Sequence, residues 1–160
     1  MTSRTPIAPV DHPYEADLER EHAFWDELVD LCAGLPPGAQ ERPGYYVDPA
    51  WSVKDMVAHI GSWLAQGKSR IEQIIVGTYE PEDLDIDAMN EIFLEALRDQ
   101  PWTVVWTQAN AARTLMLGAW FEVSERSVDA DWWMRKVGPD HYDEHLGRLR
   151  TWAAELKAVP

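Results

Sequence analysis

The chain has 160 residues, of which 46% are hydrophobic, enough for one domain with its own core. Acids outnumber bases 28 to 14, and the formal net charge of −14 excludes a nucleic-acid or anionic-membrane surface built on lysine and arginine. The single cysteine, Cys32, excludes an internal disulfide framework and a cysteine-based zinc finger.

Met1–Asp11 carries two prolines and no periodicity and reads as a flexible N-terminal arm. Residues 12–160 read as a single helical domain. Pro13 suits a first helical turn, and Leu18, Trp25, Leu28 and Cys32 share one helix face. Gly34 and Pro36-Pro37-Gly38 end that helix. Glu41–Ala50 is a loop. Ser52 with Asp55 three residues on has capping-box spacing, and Met56, Ile60, Trp63, Gly67, Ile71 and Ile74 form the stripe of a second helix that ends near Gly77. Glu80–Asp87 reads as an acidic linker.

A third helix is expected from about Ala88 to Arg98. Pro101 either separates it from a fourth or kinks one long helix. The fourth stripe is Val105, Ala109, Ala112, Met116, Ala119 and Val123, a heptad-like seam. Ser127–Lys136 contains Trp132-Trp133 and shows no clean period. Gly138-Pro139-Asp140 opens the last helix, with Tyr142, Leu146, Leu149, Ala153 and Leu156 as its stripe. No segment alternates long enough for a strand, so the expectation is an all-α bundle of four main helices. The longest apolar run, Leu115–Phe121, is too short to span a bilayer, and no stretch reads as a signal peptide. A cytoplasmic protein without a membrane partner is expected.

Five histidines are present. His141 and His145 lie four residues apart on a helix, where two imidazoles can reach one ion, and both continue the inward line of Leu149, Trp152 and Leu156. His59 lies between Met56 and Trp63 on the inward face of the second helix. Each alone reads as a core-edge histidine. Together they read as a three-nitrogen site with an open position for water or substrate. Asp55 and Glu144 lie beside these ligands as candidate general bases, although a capping role also explains Asp55 and a solvated surface position explains Glu144. His22 shares a face with Leu18 and Trp25. Trp51, Trp63, Trp132 and Trp133 flank the histidines in sequence and are candidate pocket walls.

Two near-motifs fail. Gly61–Ser69 has the wrong glycine spacing for a phosphate loop and lies inside a helix. Asp83, Asp85 and Asp87 open like a calcium loop, but Ala88 and Leu94 stand where glycine and glutamate are needed. Cys32 on an apolar stripe reads as an inert buried thiol.

Trp51-Ser52-Val53-Lys54-Asp55-Met56-Val57-Ala58-His59-Ile60, followed by Trp63, resembles the second-helix signature of the DinB-like superfamily. That superfamily includes the mycothiol-dependent maleylpyruvate isomerase N-terminal domains. His141-Tyr142-Asp143-Glu144-His145-Leu146 resembles its last-helix signature, and Asp87-Ala88-Met89-Asn90-Glu91 the opening of its third helix. The resemblance runs from about Tyr14 to Leu156. It implies a four-helix bundle with a long crossover connection, often a homodimer. It also implies a divalent metal (zinc, nickel or iron) on His59, His141 and His145. The implied function is a metal-dependent S-transferase or isomerase that joins a thiol of the mycothiol, bacillithiol or glutathione type to a small electrophilic substrate. The alternatives are a metal-dependent hydrolase and a non-enzymatic bundle that sequesters a small molecule. Trp132-Trp133 and Tyr45-Tyr46 lie outside the family pattern and read as local specificity elements.

Overall fold

Residues 13–159 are described by a computed structural model; the expected arm Met1–Asp11 and His12 lie outside them. The apolar stripes become α1 (Pro13–Ala33), α2 (Val53–Val76), α3 (Ile86–Leu97), α4 (Trp102–Phe121), α5 (Val128–Val137) and α6 (Pro139–Lys157). A 3₁₀ turn at Ala39–Glu41 follows α1, and the described residues contain no strand. The fold is all-α, as the periodicity predicts.

The four long helices form the bundle, with α1 packed on α6 and α2 on α4. Side-chain pairing gives their directions. Arg20 reaches Asp140, Glu21 reaches Tyr142 and Glu27 reaches Arg150, so α1 and α6 run parallel. Lys54 donates to the carbonyls of Arg98 and Gln100 just before α4, and a Cβ on Gly61 would meet Ala109, so α2 and α4 also run parallel. His59 meets His141 while Gly67 abuts Val137 just before α6, so α2 and α6 run antiparallel. Two successive parallel helices need a connection that returns the length of the bundle. Residues 77–101, containing α3, make that crossover.

α2 begins at a complete capping box. Ser52 accepts the Asp55 backbone N–H at 3.2 Å, and the Asp55 carboxylate accepts the Ser52 backbone N–H at 2.9 Å. The helix ends at Gly77, whose φ of 75° is the left-handed conformation that glycine adopts without steric cost. α2 lies close to its neighbours because it carries glycine at the contacts. A Cβ on Gly61 would come within 2.9 Å of the Ala109 backbone, and one on Gly67 within 2.5 Å of a Val137 methyl.

Two sequence expectations need correction, and one pair of alternatives is decided. Pro101 does not kink one long helix but separates two, as the N-cap residue of α4. The Arg98 and Gln100 carbonyls freed by the break are satisfied by the Lys54 ammonium. α3 starts at Ile86 behind the N-cap Asp85, whose carboxylate accepts the Ala88 N–H at 3.1 Å, so the linker is shorter than Glu80–Asp87. Ser127–Lys136 is no irregular stretch. Ser127 caps α5, and Ala130, Trp133, Met134 and Val137 are its buried face. α5 packs against α2 and α6. Cys32 is buried as expected, and burial pushes its thiol up to about 12, which keeps it inert. No helix among the described residues is long and apolar enough to cross a membrane.

Candidate metal centre

The antiparallel approach of α2 and α6 decides where the histidines go. His59 lies in the second turn of α2, and His141 and His145 lie in the first two turns of α6. His141 Nε2 is 2.8 Å from His59 Nε2 and 3.3 Å from His145 Nε2. Among the described residues, these three form a group whose ligand atoms all lie within 4.8 Å of one another. Nitrogens bound to one tetrahedral zinc at about 2.0–2.1 Å sit about 3.3 Å apart, the spacing of the His141–His145 pair, whereas the His59–His141 pair is tighter and would open slightly around an ion. The donor set fits too. Three imidazole nitrogens turned toward one point repel through their lone pairs unless a cation or a shared proton lies between them.

Burial holds the rings neutral. It lowers His59 to about 3, helped by His145 and opposed by Asn90. It lowers His145 to about 4. It holds His141 well below the ordinary 6.5, reinforced by His59, His145 and Lys136. Neutral imidazole is the form that binds a metal. A pH dependence follows for the metal-free protein. The unfolded chain protonates these rings near 6.5, whereas the folded chain protonates His59 only at about 3 and His145 only at about 4, with His141 also held well below 6.5. Between those values the unfolded state binds more protons, so stability is full above that window and falls as the pH drops through it. Urea unfolding in chelator near pH 7 and near pH 5 should show the native protein losing at least about 2 kcal/mol more than a His59→Ala, His141→Ala, His145→Ala variant. Equal losses would mean that the rings are solvated in the folded protein.

The triad opens into a cleft of about 860 Å³. Trp51, Trp63, Trp132 and Trp133 all line it. The Trp51 ring lies 4.8 Å from the His59 ring. Trp63 donates its indole N–H to Asn90 Oδ1 at 2.9 Å, and Trp133 donates to the Tyr79 hydroxyl at 3.1 Å. Trp132 stands edge-on to Trp133 at 5.0 Å and remains 47% exposed, at the mouth. The carboxylates of Asp48, Asp87, Glu91 and Glu144 also line the cleft, against the single ammonium of Lys136. The cleft therefore presents apolar walls and an acidic lining.

The two candidate bases part company. Glu144 lines the cleft, 3.9 Å from Lys136. Asp55 does not, because its carboxylate is engaged by the backbone N–H and hydroxyl of Ser52 in the capping box. Asp55 therefore serves as the cap of α2. His22 is exposed on α1 and away from the cleft. Sequence reasoning missed Tyr46 as a neighbour of the triad: its hydroxyl lies 3.0 Å from His145 Nδ1. The only signal was the Tyr45-Tyr46 pair, which no periodicity connects to α6.

No protein-family model and no curated protein matches the chain. Among solved structures, an uncharacterised protein from Escherichia coli UTI89 is similar, with a TM-score of 0.71 and 15% identity over 88% of this chain and 92% of that one. At that identity the likeness is one of fold alone.

Proposed function

We propose that this chain is a DinB-like, divalent-metal-dependent enzyme that joins a low-molecular-weight thiol to a small electrophile, as an S-transferase or isomerase. One observation carries the reading: three neutral imidazoles converge through Nε2 on the floor of an aromatic cleft. A divalent ion on these nitrogens, whether zinc, nickel or iron, would supply the positive charge that makes a thiol a thiolate near neutral pH.

The chain's own residues supply the rest. Trp51, Trp63, Trp132 and Trp133 hold an apolar or aromatic electrophile and exclude water from the sulfur. Glu144, the cleft carboxylate adjoining His145, takes the thiol proton. The surplus of carboxylates around the cleft favours neutral or cationic electrophiles over anionic ones.

The test is thiol consumption by tag-free protein loaded with zinc, nickel or ferrous iron. Mycothiol, bacillithiol and glutathione are each offered with an aryl chloride electrophile. Metal-dependent loss of thiol that chelator abolishes is the expected result. Turnover of an activated ester without thiol would instead make the chain a hydrolase. Tight binding of the aromatic compound with no turnover in any metal form would make it a sequestering bundle.

A further inference from the structure

Tyr46 belongs to the loop between α1 and α2, and that loop is fastened to α6. Arg148 donates from Nε to the Tyr45 carbonyl at 2.6 Å and from Nη2 to the Gly44 carbonyl at 3.3 Å. Arg148 follows His145 by three residues, so both side chains lie on the same helix face. One turn further on, Trp152 meets the Tyr45 ring edge-on at 6.2 Å. The Tyr46 N–H donates to the Trp51 carbonyl at 3.0 Å, which closes the loop onto the start of α2. The Tyr46 hydroxyl is thereby held 3.0 Å from His145 Nδ1.

A phenol and a neutral imidazole can share that hydrogen bond in two ways. If Tyr46 donates, the proton of His145 sits on Nε2. If Nδ1–H donates, the Nε2 lone pair is free. The convergence of the three rings bears on the choice. His59, His141 and His145 turn Nε2 toward one another, with His141 Nε2 at 2.8 Å from His59 Nε2 and 3.3 Å from His145 Nε2. An ion held between them needs the Nε2 lone pair of each ring, which places the proton of His145 on Nδ1, against the Tyr46 oxygen.

We infer that Tyr46, held by Arg148, is a positioning residue that accepts the Nδ1–H of His145 and so keeps His145 Nε2 unprotonated and aimed at the point where the three rings meet. The inference rests on the metal-binding reading above. Hydrogen-bonded partners of this kind fix ring orientation and raise ligand basicity in metal sites.

The experiment compares the native protein with Tyr46→Phe, which keeps the ring and removes the hydroxyl. Nitrogen-15 NMR of metal-free, histidine-labelled protein should show His145 protonated at Nδ1 in the native protein and gaining the Nε2–H form in the variant. Zinc titration should show affinity about 10–100-fold weaker in Tyr46→Phe, with the metal-free unfolding temperature little changed. Arg148→Gln, which frees the loop, should move both readouts in the same direction and serves if Tyr46→Phe does not fold. Native His145 protonated at Nε2 overturns the inference, as does a variant with the native tautomer and native zinc affinity. Native protein that binds no zinc at all sinks the metal reading instead, and the NMR result still decides the role of Tyr46.

Discussion

Replacing His59, His141 and His145 together by alanine should lower bound metal from about one ion per chain to near none while leaving the helical fold intact. The expectation follows from where the rings lie. All three line an open cleft, so their removal enlarges that cleft and creates no sealed void in the core. The change also removes three ring nitrogens crowded around one point. Because His59 comes from α2 and the others from α6, an ion held by all three ties two helices together. At free metal about a thousandfold above its dissociation constant, that tie is worth roughly 4 kcal/mol of stability. For a domain of this size it corresponds to a rise of about 10 °C in unfolding temperature. The native protein should show that rise on adding metal, and the triple variant should not. Elemental analysis of tag-free protein and a melting series with and without metal read both parts. A native protein that neither holds metal nor shifts its melting temperature with zinc, nickel or iron would remove the basis for the proposed enzyme.

Most of the fold is local information, and local information is legible in one sequence. The stripes of α1, α2, α4 and α6 repeat over several turns, and the spacing of Ser52 and Asp55 alone marks the start of α2. His59, His141 and His145 were legible for the same reason, since each lies on a stripe whose inward direction the neighbouring Trp63, Leu146 and Leu149 define. α5 was missed although its buried face, Ala130, Trp133, Met134 and Val137, is helical in spacing. Trp132 obscured it: an exposed tryptophan beside a buried one breaks the pattern, because it serves the mouth of the cleft and not the core. Asp55 had two readings, and the cap prevails. Its place beside His59 suggested chemistry, but its nearest unsatisfied donors were the Ser52 N–H and hydroxyl. Tyr46 was out of reach for a third reason. It meets His145 across 99 residues of sequence, on a loop whose path depends on Arg148. The crossover was implied only by the family resemblance, and it became derivable once ion pairs and close contacts had set the helix directions.

Removing Arg113 should produce the largest loss of stability of any single change outside the core stripes. Glu21 of α1 is fully buried, and its carboxylate accepts from Arg113 of α4 at 2.6 and 2.7 Å and from the Tyr142 hydroxyl of α6 at 3.2 Å. The Arg113 guanidinium also lies 5.1 Å from the Trp25 ring centre. Three of the four bundle helices therefore meet at one carboxylate. Arg113→Leu leaves a charge in the interior with the Tyr142 phenol and, at 3.8 Å, the His22 ring beside it, and breaking a buried pair in this way costs about 3–5 kcal/mol. The unfolding temperature should fall by roughly 10 °C. The pair itself adds little compared with an apolar replacement of similar volume, because both charges had to be stripped of water. Arg113→Leu combined with Glu21→Leu and Tyr142→Phe should therefore regain most of what the single change loses. Urea unfolding of the single and combined variants separates the two effects. A single variant as stable as the native protein would show that water reaches Glu21. A combined variant no better than the single one would show that these side chains hold the helices in register. Tyr142 adjoins His141 in the first turn of α6, so zinc titration of the same variants reads whether the anchor on α1 also sets the geometry of the metal site.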